Sequence, residues 1–108
     1  MHIKDRAKLQ QRLVSNNVDD VTTALLEITY HVGDQQWIEK TLLTAIGHEN
    51  QQVRGLAITC LGHCARIFGG LQTPSILSTL ITIRDDEKDP CSGRADDALD
   101  DIALFSTR

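Results

Sequence analysis

Aromatic residues are scarce in this sequence: one Trp, one Tyr and two Phe make up 4% of its 108 residues. Any core must therefore be filled by Leu, Ile, Val and Ala, which suits helices in close contact. No apolar run approaches the roughly 18–20 residues that span a bilayer. The opening MHIKDRAKLQQR also lacks the apolar stretch of a secretory leader, so the expected location is the cytoplasm, away from any membrane. Basic charge is short too. The net charge is −4 and the pI about 5.4, which argues against direct nucleic-acid binding, since phosphate recognition needs a basic surface. Three cysteines, Cys60, Cys64 and Cys91, cannot all pair with one another, and a reducing compartment predicts free thiols. No segment alternates with period two over a useful length, so no sheet is expected. With 41% hydrophobic and 24% charged residues the chain has the composition of a folded protein, and its length predicts one domain over 1–108.

What is present is helical periodicity punctuated by caps. A weak opening helix over 3–14 carries Ile3, Ala7, Leu9, Leu13 and Val14. Asn17 followed by Asp20 resembles a capping box, and Val18, Val21, Leu25, Ile28 and Val32 then share one face of a helix over 18–31. Gly33 breaks it, Asp34 is the next N-cap, and Trp37, Ile38, Leu42, Ala45 and Ile46 mark a third helix that Gly47 stops. From the N-cap Asn50, the stripe Val53, Leu56, Ala57, Cys60, Leu61, Cys64, Ile67 and Phe68 runs to Gly69-Gly70. Thr73-Pro74 and Asp89-Pro90 repeat one signal, a cap with Pro at the first helical position. They open helices over about 74–84 and 90–105, with faces Ile76, Leu77, Leu80, Ile81 and Ala95, Ala98, Leu99, Ile102, Phe105. Helices this short are marginal alone and must pack on one another.

Chemistry-bearing side chains do not assemble into a catalytic motif. Cys60 and Cys64 share a helical face with His63 nearby, as a zinc site would require, but the same stripe holds Ala57, Leu61 and Phe68, where a thiol serves as a small core hydrophobe. The run DDEKDP gathers oxygens yet lacks the spacing and glycine of a calcium loop. His31 and Asp34 are best explained as helix-end residues complementing the dipole. Neither metal nor cofactor is expected, and function by binding is favoured over catalysis.

The segment WIEKTLLTAIGHENQQVRGLAITCLGHCARIF, Trp37 to Phe68, resembles a HEAT repeat. Its second helix opens with Asn50, Val53 and Arg54 and continues through Ala57, Leu61 and Gly62 in the family's spacing. Residues 76–105 read as a degenerate second unit, with Arg94, Ala98 and Ile102 near the signature positions, and residues 17–31 as the end of a truncated leading one. The resemblance implies an all-α fold, an α-α superhelix of about six helices in stacked HEAT-like hairpins. The closing GRADDALDDIALF together with LAITCLGHCARI is also similar to small bacterial HEAT-like immunity proteins of toxin systems, including contact-dependent growth inhibition. That similarity implies stoichiometric binding and neutralisation of a cognate toxin, a nuclease among the candidates. A general HEAT-like adaptor or regulatory scaffold is the alternative, and enzymes whose HEAT-like repeats act on tetrapyrroles form a third class without support here.

Charge locates the candidate interface. Residues 84–101 hold 8 acids against 3 bases, a local charge of −5, while the rest of the chain carries +1. On a wheel of about 100° per residue, Asp96, Asp97, Asp100 and Asp101 turn away from Ala95, Ala98, Leu99 and Ile102. With Asp85, Asp86, Glu87 and Asp89 in the preceding turn they would meet a basic toxin cleft, although a merely solvated face accounts for them equally well. Trp37 and His31, with Tyr30, His48 and Asn50 in neighbouring turns, are candidates for shape-specific contacts.

Overall fold

The computed structural model describes residues 6–106, and all regular structure among them is helical. Six helices follow in order: α1 (Arg6–Leu13), α2 (Val18–His31), α3 (Gln35–Ala45), α4 (Gln51–Phe68), α5 (Ser75–Asp85) and α6 (Ser92–Phe105). Each odd-numbered helix packs on the even-numbered one that follows it, giving three consecutive hairpins, and α4 packs on both α2 and α6. The even helices therefore form one layer with α4 at its centre. The odd helices back it, in a slab only 17 Å thick between outermost Cα atoms, as two layers of helices about 8–10 Å apart require. Contacts between C-terminal halves, Tyr30 with His63 and Arg66 with Phe105, and between N-terminal halves, Gly55 with Arg94, show that α2, α4 and α6 run parallel.

Local chemistry sets the helix ends. Asn17 accepts from the amides of Asp19 and Asp20, Asp34 from Trp37, and Asn50 from Gln52 and Val53. The capping box at α2 closes indirectly. Asp20, a methylene shorter than Glu, accepts from the Ser15 hydroxyl, and that same oxygen accepts from the Asn17 amide. Gly69, at φ +74°, ends α4 in the left-handed conformation that a side chain disfavours. The two Pro-marked starts differ from expectation. Pro74 has helical dihedrals, but no side chain caps α5, and the Thr73 amide is instead bound by Glu39. At the other start Asp89 accepts from the Cys91 amide, and the helix proper begins at Ser92.

The core is the apolar set the periodicity marks, apart from Ala7, Val14, Ile67, Leu77 and Ile81, which are exposed. Ile3 lies outside the described residues, and Val14, beyond the end of α1, is 81% exposed. Leu77 and Ile81 face outward, because α5 seats Ile76, Leu80 and Ile83 against its main partner α6. Ile67 is also exposed, since α2 ends at His31 and its last turn reaches only as far as His63. Close approach of α4 and α6 depends on small residues. A Cβ at Gly62 would stand 3.3 Å from the Ala98 Cα, and Gly55 leaves room for the Arg94 side chain to lie across it.

Candidate protein-binding face

On α6 the buried positions are Ala95, Ala98 and Ile102, and the helix pitch puts Asp96, Asp97 and Asp100 in solvent. One carboxylate oxygen of each lies within 4.8 Å of the others. That geometry can attract a cation, but three exposed single-oxygen ligands fall short of the six to eight that calcium takes, and the trio's definite property is concentrated negative charge. Asp85, Asp86 and Glu87 add exposed carboxylates in the turn before α6. Arg84 partly offsets them. Its Nε donates to Asp85 at 2.9 Å, and this bond, with the fields of Asp85, Asp96 and Asp100, raises the guanidinium pKa. The helix dipole gives little help, because no acid lies in the first turn of α6.

Two acids of the expected strip are turned inward. Asp101 lies beside Gly62 with an oxygen 3.9 Å from Arg66, at the seam between α4 and α6. Asp89 binds Arg54 through two parallel bonds, Nη1 to Oδ1 at 3.1 Å and Nη2 to Oδ2 at 2.9 Å, with its side chain 14% exposed. Arg54 also donates from Nε to the Ile46 carbonyl, so one side chain joins the α3–α4 turn to the start of α6. These bonds, that from Arg54 foremost, hold the Asp89 carboxyl below its ordinary pKa. A lowered folded pKa contributes stability above the unfolded value of about 3.9 that is lost as pH falls through the folded value. Asp89→Asn should therefore cost about 1.5–3 kcal/mol at neutral pH. The difference from wild type should narrow as pH falls through the lowered folded value of Asp89, in urea titrations across the acid range.

The exposed side of the α2–α4–α6 layer carries a second feature. The Tyr30 hydroxyl hydrogen-bonds His63 Nδ1, and partial burial raises its pKa. Across α4, the Arg66 guanidinium lies 5.1 Å from the centre of the Phe105 ring. Beneath this surface Cys60 and Cys64 are fully buried, and burial pushes both thiols up, Cys64 to about 12. Nucleophiles and zinc ligands act as thiolates, which this environment disfavours, and His63 is engaged by Tyr30.

The remaining expected contacts are dispersed. His31 is exposed at the end of α2. Trp37 is half-buried against the core beneath the Arg6 guanidinium, 4.8 Å from its ring centre, while Arg6 also pairs with Asp34 at 3.0 Å. His48 accepts from the Asn50 amide, and Asn50 caps α4, so both shape the α3–α4 turn. Sequence reasoning missed the Arg66–Phe105 stack, whose partners lie on different helices, although Leu26 and Tyr30 at i, i+4 offered a local sign of an outward apolar stripe. No helix among the described residues is long and apolar enough to cross a membrane.

No protein-family model matches the sequence, and no curated protein does. A solved structure does match: a chain in the crystal structure of a CDI complex from Cupriavidus taiwanensis LMG 19424 superimposes with a TM-score of 0.81. The two sequences are 30% identical, and the match covers 96% of this chain and 90% of that one.

Proposed function

Because this chain belongs to the same family as that component of a CDI complex, we propose that it is an immunity protein, binding and neutralising a cognate toxin of a bacterial contact-dependent growth inhibition system. The observation that carries the reading is the near full-length match to a chain of such a complex. The similarity of GRADDALDDIALF and LAITCLGHCARI to HEAT-like immunity proteins supports the same conclusion, as do the three stacked hairpins. It acts in the cytoplasm, by occupation and not by catalysis.

The toxin is a nuclease whose basic substrate cleft meets the exposed acids Asp85, Asp86, Glu87, Asp96, Asp97 and Asp100. Complementary charge speeds encounter and rejects wrong partners. Asp89 and Asp101 support this edge through Arg54 and Arg66, while His31 and Trp37 reach the partner only if the interface extends to the α2–α3 turn. An immunity gene is expected to lie beside that of its toxin, and the test is co-expression with the toxin domain encoded there; an adjacent gene that encodes no toxin would itself count against the reading. Growth should be restored, a 1:1 complex should be isolated, and equimolar chain should block nucleic-acid cleavage by the purified toxin. Continued growth arrest with no complex would reject the immunity role; protection from a toxin that cleaves no nucleic acid would reject only the nuclease assignment.

A further inference from the structure

The C-terminal end of the α2–α4–α6 face gathers Leu26, Tyr30, His63, Arg66, Ile67 and Phe105 on three parallel helices. Leu26, Tyr30 and Ile67 are 41%, 48% and 45% exposed, and the Arg66 side chain is 52% exposed. A contiguous exposed patch of apolar and aromatic side chains with an arginine has the composition of an interface centre, where Tyr and Arg carry a disproportionate share of binding energy. Its geometry is already set: Tyr30 is fixed by His63, and Arg66 is spread over Phe105 and reaches Asp101 only at 3.9 Å, which leaves donors for an acceptor on another molecule. Rigid side chains of this kind lose little entropy on binding.

We infer that this patch is the energetic centre of the toxin interface and that the acidic edge of α6 is its rim. The inference rests on the immunity reading. The partner it fits is a protein surface with an apolar or aromatic depression for Tyr30, a carboxylate or carbonyl for Arg66, and basic groups on the side that meets α6. The patch is continuous with the acidic helix, since Arg66 of α4 lies over Phe105 and 3.9 Å from Asp101, both on α6, so a partner seated on the patch is also within reach of the acids. The toxin of the proposed function is that occupant, and a second copy of the chain is an outcome of the test. Division of labour follows: acids on the rim act on the association rate and its salt dependence, and the patch acts on dissociation.

The test is surface plasmon resonance of the full chain against the toxin domain encoded by the adjacent gene, with variants Tyr30→Ala, Arg66→Ala and Leu26→Gln, and Ile81→Ser on α5 as control. Tyr30→Ala and Arg66→Ala are each expected to raise Kd by about 30-fold or more through faster dissociation, with association changed less than about threefold. Leu26→Gln, a milder change at a half-exposed position, keeps the test decisive should Tyr30→Ala lower the melting temperature. The control should bind as wild type does. Wild-type binding with all three patch variants unaffected would overturn this assignment and leave the immunity role standing. A wild-type chain that does not bind removes the role and the patch together. Sedimentation showing a wild-type dimer that Tyr30→Ala dissociates, with toxin affinity unchanged, would make the patch a self-association surface and overturn the proposal.

Discussion

Replacing Glu39 with Ala is expected to destabilise the fold by about 2–5 kcal/mol, the scale of a buried truncation that leaves neutral donors unsatisfied and opens a cavity. Glu39 is fully buried on α3. Its Oε1 accepts from the amides of Gln72 and Thr73 at 3.0 and 2.8 Å, and its Oε2 accepts from Gln35 Nε2 at 2.7 Å. Gln35 Nε2 also donates to the Gly70 carbonyl at 2.7 Å. One carboxylate thereby satisfies the turn from α4 to α5, whose amides have no helical partner at that point. Truncation leaves those donors in the interior, each unsatisfied group costing about 1–3 kcal/mol, and adds a cavity. Glu39→Gln should cost less, because its oxygen can keep the backbone amides while its nitrogen faces the Gln35 amide, which can rotate to accept at the expense of the Gly70 contact. Urea unfolding of both variants measures the order. Equal and small losses would show that water replaces the carboxylate, and loss of the α4–α5 turn should appear as faster amide exchange at Gln72 and Thr73.

Features that depend on neighbours in sequence were legible before the structure, and features that depend on distant partners were not. Asn17, Asp34 and Asn50 cap helices with groups two or three residues away, so local pattern located them. Gly69 ends α4 for a reason contained in its own backbone. Glu39 is not legible because the backbone amides it binds lie 33 and 34 residues on, and Gln35, its one local partner, does not mark a buried carboxylate. A helical wheel turns Asp101 to solvent because it carries no knowledge of Arg66 across the packing seam, and Asp89 counts among the exposed acids of the turn because nothing local marks Arg54, 35 residues away. Leu77 and Ile81 failed in the opposite direction. A four-residue apolar face was wider than the surface that α6 offers α5 to cover.

The acidic edge gives the second large effect, and it should separate function from folding by sign. Asp96 and Asp100 stand at i, i+4, as like charges that destabilise a helix by a few tenths of a kcal/mol, and Asp is itself a weak helix former. Asp97 crowds the same surface, its carboxylate within 4.8 Å of both. Changing the three to Asn relieves the repulsion without altering size, and the variant should melt at or slightly above the wild-type temperature. Against the adjacent-gene toxin the same variant should lose about 10- to 100-fold in association rate at low ionic strength, because steering by concentrated charge contributes on that scale. At about 1 M salt, where the screening length falls to about 3 Å, the two proteins should associate at similar rates. Arg84→Ala supplies the converse: it removes the cation beside Asp85, Asp96 and Asp100 and should quicken association while leaving dissociation near wild type. Stopped-flow measurements across a salt series test all three. An association rate that neither change alters would assign the trio to solubility alone, in which case the stability gained by Asn carries no functional penalty.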